Sequence, residues 1–150
     1  MPQCETKYFR TFSYDEGATV AFSAGLPAFE NCRRFLPMEQ ADRRPFVFLQ
    51  SLDEPSLCFI TLPVAGIDPG YKLKMSAQDL ESTGLEGPPS TGTGVLCLAV
   101  VSFQTSAIPT ANLLAPIVVN YGTRRAVQAV RDDSAYSCCH PLVREVAPCS

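Results

Sequence analysis

The chain has 150 residues, 46% of them hydrophobic and 18% charged, a balance typical of a folded globular protein rather than a disordered one. This length is within the range of one domain, which would bury roughly 70% of its unfolded surface in a core. The net charge of −3 argues against a broad basic surface for nucleic acid. The 13 prolines exclude a helical bundle and favour short strands joined by turns.

The beginning of the chain shows no secretory signal, because residues 1–10 carry charges and no apolar stretch. The longest apolar run, residues 95–101, is far shorter than the roughly 20 residues that cross a bilayer. The cysteines are scattered, and no CxxC pair occurs. We therefore expect reduced thiols and a cytoplasmic protein with no membrane contact.

The first half of the chain predicts a series of strands separated by turn residues. Their β-branched, aromatic and apolar residues form the runs 7–14, 19–23, 34–38, 45–51 and 57–62. Pro37 has no N–H to donate, so its strand is expected at an edge or a bulge. The last two runs are almost continuously apolar, which is typical of sandwich or barrel strands buried on both faces.

The middle of the chain contains one predicted helix. A turn-rich passage at residues 64–70 and a predicted strand at 71–75 precede it. The helix is predicted over residues 76–83, because Ser76 can cap its start and Gly84 can close its end. So short a helix must pack on the sheet to be stable.

The second half predicts a loop, a core strand and a hairpin. Residues 86–94 have the composition of a flexible loop, and residues 95–103 form the strongest core-strand pattern. Residues 115–120 and 124–130 predict two antiparallel strands around an Asn-Tyr-Gly turn, since Asn and Gly tolerate a positive φ. No second domain boundary is visible, so residues 1–150 are expected to form one domain with a flexible tail at 143–150.

The sequence shows no convincing set of catalytic residues. His140 is the only histidine, and Ser134 and two aspartates precede it, but no GxSxG elbow occurs. Cys139 adjoins His140, and neighbouring side chains diverge in an extended chain, whereas a catalytic pair must converge. We therefore expect a binding protein and not an enzyme.

The C-terminal cysteines leave one alternative open. Cys138, Cys139 and His140, with Cys149, could in principle surround a zinc ion, although their spacing resembles no zinc finger or ribbon. The alternative function is therefore a thiol- or metal-dependent binding module that uses Cys138, Cys139 and His140. The main interpretation includes no metal and no other cofactor.

Two acidic turns are the candidate sites for a protein partner. Asp53 and Glu54 lie between two predicted strands, and Asp68 and Tyr71 lie in the turn-rich passage. An exposed aromatic side chain beside acidic groups is a reasonable feature of a protein-binding surface. The predicted partner-binding residues are therefore Asp53, Glu54, Asp68 and Tyr71.

The sequence also resembles a known family through several segments in a fixed order. They are TKYF at residues 6–9, GLPAFE at 25–30, PF at 45–46 with LQSLD at 49–53, TANLLAPIVVN at 110–120, DDS at 132–134, YS at 136–137 and HPL at 140–142. This pattern resembles the bacterial flagellar assembly factor FliW family. The chain departs from the family at residues 86–94, which are nearly uncharged, and at Cys138 and Cys139, where Thr-Arg is common.

The resemblance implies an all-β fold, an antiparallel β pseudo-barrel or sandwich of short strands, with the one short helix near 76–83. It also implies a cytoplasmic, non-enzymatic regulator. Such a protein binds flagellin in a chaperone-like way. It also binds the RNA-binding translational regulator CsrA and relieves the repression of flagellin translation by CsrA. Direct nucleic-acid binding is not expected, because the RNA is bound by the partner.

Overall fold

The computed structural model describes residues 3–4, 12–23, 25–26, 29–87, 94–103 and 107–142. Its strands are β1 (Gln3–Cys4), β2 (Phe12–Ser13), β3 (Val20–Phe22), β4 (Arg34–Glu39), β5 (Val47–Ser51), β6 (Cys58–Pro63), β7 (Val95–Ser102), β8 (Thr110–Ala111), β9 (Ile117–Asn120), β10 (Arg125–Gln128) and β11 (His140–Pro141). The helices are α1 (Val64–Ile67) and α2 (Ala77–Thr83), with 3-10 turns at Glu16–Ala18 and Ala41–Arg43. Residues 7–11 of the first predicted strand, 88–93 of the predicted loop and the predicted tail lie outside the described residues.

Seven strands close into a barrel in the order β3, β4, β5, β6, β7, β9, β10 and back to β3. The neighbours are antiparallel except at one seam, where β10 pairs with β3 in parallel. β8 and β11 continue the sheet outward from β7, and β1 pairs with β2 in a separate ribbon. The expected all-β class, with its pseudo-barrel of short strands, is confirmed.

The barrel interior is filled by alternate residues of its strands, because successive strand side chains point to opposite faces. The buried interior comprises Val20, Phe22, Leu26, Phe35, Val47, Leu49, Leu98, Ile117, Val119 and Ala126. The rings of Phe22 and Phe35 meet edge to face, with centroids 5.3 Å apart. Burial of these apolar side chains is the main driving force for closure of the barrel.

A second apolar cluster covers the outer face of β7. Ala99 points away from the barrel interior and packs with Val64 of α1, Ala111 and Leu113. Tyr71 and other partly buried side chains border this cluster. β7 is therefore covered on both sides, as its continuous apolar pattern predicted.

The predicted helix is present and carries the caps that its sequence indicated. The Ser76 hydroxyl accepts a hydrogen bond from the Asp79 N–H, and the Asp79 carboxylate accepts one from the Ser76 N–H. Gly84 closes the helix in the left-handed region at φ 75°. The last carbonyl of α2, that of Thr83, accepts hydrogen bonds from the side chains of Asn120 and Thr123. These contacts fix α2 against the β9–β10 hairpin.

The predicted strand at residues 71–75 is not formed, and this expectation was wrong. The Lys72 N–H donates to the Tyr136 hydroxyl, and the Lys72 carbonyl accepts from Arg131. Side chains thus satisfy backbone groups that a strand would have paired in a ladder.

Two backbone details of the predicted strands depend on their neighbours. The β9–β10 turn has its positive φ at Arg124, 57°, and not at the Asn or Gly that the sequence indicated. The Asn120 side chain accepts a hydrogen bond from the Gly122 N–H within this turn. Pro37 pairs with β5, and β3 pairs only with the start of β4, so the proline lies where β4 has no second neighbour in the described ladders.

Among the described residues, no helix is long and apolar enough to cross a membrane.

Candidate functional site

The first predicted partner site is the connection between β5 and β6, and its Asp53 holds the backbone in place. Asp53 Oδ2 accepts hydrogen bonds from the N–H groups of Arg33 and Arg34, at 2.8 and 2.9 Å. The Ser51 hydroxyl in turn accepts from the N–H groups of Asp53 and Glu54. One carboxylate oxygen of Asp53 is thus committed to fixing the start of β4, so its replacement would disturb the fold as well as the surface.

Glu54 lies fully exposed at the tip of the same connection. Its Oε1 accepts from the hydroxyl of Ser56 at 2.8 Å and from the Ser56 N–H at 3.3 Å. These two hydrogen bonds hold the pKa of Glu54 below its ordinary value. Buried Gln50 stiffens the connection, since its Nε2 donates to the carbonyls of Ser51, Pro55 and Leu57. The result is an ordered loop with an acidic side chain at its tip.

The second predicted site, Asp68 and Tyr71, differs from the exposed pair that the sequence suggested. Asp68 Oδ1 accepts from the Gly70 N–H at 3.0 Å and so forms an Asx turn. The Tyr71 hydroxyl donates to the Leu113 carbonyl at 2.6 Å. The ring is half-buried in the outer apolar cluster, and burial raises the pKa of Tyr71 to about 12. Tyr71 is thus foremost a packing residue with one exposed edge.

The two acidic turns do not form one surface. Asp53 and Glu54 precede β6, whereas Asp68 and Tyr71 follow α1, which begins at the other end of that strand. A six-residue strand spans roughly 17–20 Å. A partner would have to be long enough to contact both turns at once.

Tyr71 belongs to an arginine cluster, defined here as Tyr71, Lys74, Arg131, Asp133 and Tyr136. The two tyrosine rings lie 4.3 Å apart, and the Arg131 guanidinium carbon lies 4.7 Å from the Tyr136 centroid and 5.7 Å from that of Tyr71. Arg131 donates to both carboxylate oxygens of Asp133 at 2.9 Å. Lys74 donates to Asp133 at 2.8 Å. Sequence reasoning missed this cluster, although its Asp133 and Tyr136 lie in the family segments.

The electrostatics of the cluster explain why the buried arginine is tolerated. The Arg131 side chain is only 3% exposed, but it has a carboxylate, a backbone carbonyl and aromatic faces as partners. The hydrogen bonds from Arg131 and then from Lys74 hold the pKa of Asp133 well below its ordinary range. The cluster therefore ties residues 71–74 to residues 131–136, and its chemistry is structural.

Cys138, Cys139 and His140 do not converge on one point. The two exposed sulfur atoms lie 3.7 Å apart, and their mutual hydrogen bond raises the pKa of Cys139. Cys138 lines a cavity beside Gln128, whereas His140, in β11, lines a different cavity beside Ile67. In the part of the chain that the structure describes, no group of three or more His, Cys, Asp or Glu side chains is placed to hold a metal ion.

An apolar groove, which sequence reasoning missed, lies between the end of β6 and the β8–β11 pair. Its first cavity has a volume of about 440 Å³ and is lined mainly by apolar residues, including Phe46, Leu62, Ile67, Phe103 and Leu142. Phe46 and Phe103 also line a second cavity of about 330 Å³, which extends to Arg43 and Arg44. These residues come from distant segments, so no local pattern could indicate that they share a surface.

Comparison with known proteins identifies relatives over nearly the whole chain. The family model of the FliW protein matches residues 3–142. The flagellar assembly factor FliW of Syntrophotalea carbinolica is 33% identical over 134 residues, covering 89% of this chain and 93% of the relative. The flagellar assembly factor FliW of Natranaerobius thermophilus is 30% identical over 138 residues, covering 92% and 90%.

The fold has the same counterpart among solved structures. A crystal structure of the flagellar assembly factor FliW superposes with a TM-score of 0.83 at 27% sequence identity. The match covers 97% of this chain and all of the other chain. The sequence comparison and the structure comparison therefore identify the same family.

Proposed function

The chain belongs to the FliW family, and from this premise we propose that it regulates flagellar assembly by binding two proteins, CsrA and flagellin. In this proposal it binds CsrA in the cytoplasm and relieves the repression of flagellin translation. It also binds flagellin in a chaperone-like way. The single observation that supports the proposal best is the family match over residues 3–142, with relatives named as flagellar assembly factors.

The two binding events are proposed to exclude each other. A protein that binds either flagellin or CsrA, but not both, would dissociate from CsrA when flagellin accumulates. It would bind CsrA again when flagellin is exported. The coupling is reciprocal, because the factor by which one partner weakens binding of the other is the same in both directions. The net charge of −3 is consistent with action on the RNA-binding partner rather than on RNA.

A non-enzymatic mechanism agrees with the side-chain chemistry described above. The carboxylates of Glu54 and Asp68 accept hydrogen bonds from the backbone of their own turns, and the Asp53 carboxylate accepts them from the N–H groups of Arg33 and Arg34. His140, half-buried, lies in a strand, and the free thiols of its neighbours Cys138 and Cys139 are hydrogen-bonded to each other. Binding by surfaces, without cofactor, is therefore the mechanism that we propose.

The proposed contact residues are Asp53, Glu54, Asp68 and Tyr71, and Glu54 is the one whose replacement tests the surface most cleanly. Glu54→Gln keeps the shape of the loop tip and removes its charge. We expect weaker binding to a basic face of a partner, chiefly through slower association, with unchanged thermal stability. Glu81→Gln, at an exposed position of α2, is the matched control and should change neither property. Unchanged affinity for both partners would remove Glu54 from the proposed site.

The proposed function is tested by mixing the purified protein with purified CsrA and, separately, with purified flagellin. We expect each mixture to elute from a sizing column as a complex, and we expect excess flagellin to displace CsrA. Failure to comigrate with either partner would overturn the proposal. A ternary complex would overturn only the mutual exclusion.

The alternative, a thiol- or metal-dependent module, is favoured by one observation, the 3.7 Å separation of the Cys138 and Cys139 sulfur atoms. Soft metal ions prefer such thiolate pairs. Metal analysis of protein purified without chelator tests it, since structural metal sites bind tightly. A metal content far below one ion per chain, unchanged in Cys138→Ser, would remove the metal form of this alternative.

A further inference from the structure

Two adjoining cavities form one continuous apolar groove on the barrel. The larger, of about 440 Å³, lies between Ile67 and Leu142, and the smaller, of about 330 Å³, lies over Ile60. Phe46 and Phe103 line both cavities, and their ring centroids lie 6.5 Å apart. The Phe103 side chain is 55% exposed, although it lies in a groove with other apolar side chains. Each cavity is of a size that receives a large apolar side chain of a ligand.

The charges at one end of the groove indicate the chemistry of its occupant. Arg43 and Arg44 line the smaller cavity together with Asp42, and all three are exposed. Among the described residues, neither guanidinium takes part in a hydrogen bond or an ion pair, in contrast to Arg34, which pairs with Glu16. The charged lining is therefore net positive on a chain whose net charge is −3.

We propose that this groove docks a short segment of a partner protein that has two large apolar side chains with an Asp or Glu beside the second. The apolar side chains occupy the two cavities, on either side of the Phe46–Phe103 pair. The carboxylate then meets Arg43 and Arg44, whose planar guanidinium groups suit paired hydrogen bonds to a carboxylate. This inference rests on the proposed role as a protein-binding regulator and adds the chemistry of the segment that is recognised.

The test uses a phage-displayed library of random peptides selected on the whole protein. We expect enriched peptides to carry Asp or Glu next to apolar anchors. A labelled synthetic copy of the most enriched peptide is then titrated by fluorescence polarisation. Phe103→Ser should weaken its binding about tenfold or more, because the residue lines both cavities. Arg43→Ala with Arg44→Ala should weaken it several-fold and reduce its dependence on salt.

The matched controls are an exposed apolar residue and an exposed arginine outside the groove. Val130→Ser removes another exposed apolar side chain, and Arg125→Ala removes an exposed arginine of β10. Both should leave peptide binding unchanged. Circular dichroism of every variant reports folding. If Phe103→Ser does not fold, amide shifts of the wild-type protein with the same peptide locate the contact, and they are expected around Phe46 and Ile67.

Several outcomes would overturn the inference. They are a failure to enrich any peptide, a basic consensus, binding that Phe103→Ser leaves intact, and shifts outside the groove. Self-association that Phe103→Ser abolishes would identify a second copy of the chain as the occupant and would also overturn it. Comigration with CsrA and flagellin is measured separately, so the groove can fail while the proposed function stands.

Discussion

Arg131 is the clearest case of a single residue whose environment decides its role. Its side chain is almost fully buried, and an unpaired buried charge would be very costly. Asp133, the Lys72 carbonyl and the two tyrosine rings supply partners on each side. The residue thereby connects two segments that carry no regular secondary structure.

Low pH should weaken the interaction of the Asp133 carboxylate with Arg131 and Lys74, and the variant Asp133→Asn tests this expectation. The pKa of Asp133 is lowered in the folded state, so the carboxylate stabilises the fold above its ordinary pKa of about 3.9. This contribution is lost as the pH falls from there toward the lowered folded-state pKa. Wild type should therefore be more stable than Asp133→Asn at about pH 7, and the difference should shrink below about pH 4. Urea unfolding at each pH measures it.

Asp132→Asn is the control, because Asp132 is the exposed neighbour of Asp133. Its effect on the free energy of unfolding should be small at every pH. A difference between wild type and Asp133→Asn that stays constant down to about pH 3 would contradict the expected linkage.

At the scale of elements, α2 shows how a short helix is held by its ends. Its start is closed by a capping box, and its last carbonyl accepts two side-chain hydrogen bonds from the β9–β10 hairpin. Seven residues are too few for an isolated helix to be stable in water. Gly84 ends the helix in the left-handed region, at a point where the chain passes close to Thr123.

Gly84→Ala should lower the free energy of unfolding by about 1–2 kcal/mol, the cost of placing an L-residue in the left-handed region. The new Cβ would also lie 2.9 Å from Thr123 Cγ2, so this neighbour must shift. Thr123→Ser removes that methyl group and keeps the hydroxyl that donates to Thr83. Chemical denaturation of both single variants and the double variant measures the coupling. Gly84→Ala should cost less in the Thr123→Ser background, and an equal cost would show that the contact carries no strain.

For the whole molecule, the closed barrel pairs an early strand with a late one. β3 comes early in the sequence and β10 late, and their parallel pairing is the seam that completes the ring. β7 pairs with β9 as well as with β6. The β9–β10 hairpin is therefore hydrogen-bonded to β7 on one side and to β3 on the other. We propose on this basis that residues 1–150 behave as one domain.

One cooperative transition is expected for such a domain. Unfolding followed by far-ultraviolet circular dichroism and by tyrosine signals should give the same midpoint. Val119→Ala, which removes two methyl groups from the barrel interior, should lower both midpoints equally. Separate transitions for the two signals would show that parts of the chain unfold independently.

Local sequence was enough to predict the class of fold and most of its elements. Strand patterns, the helix at 76–83 and its Ser76 cap depend on residues close together in the chain, whose backbone preferences act at short range. The family segments likewise lie in the sequence itself, and the comparisons confirmed the family that they indicated. The positions of Asp53 and Asp68 in turns also follow from local turn chemistry.

Only the tertiary structure decided how these elements meet. Tyr71 was expected to be exposed, but Leu113 and Tyr136, far along the chain, surround it. The Leu113 carbonyl accepts from its hydroxyl, and the Tyr136 ring packs on its half-buried ring. The parallel seam and the groove between Phe46 and Phe103 likewise arise from segments that approach only when the barrel closes. Such contacts depend on the burial of apolar surface shared by the whole chain, and no local pattern encodes which segments share it.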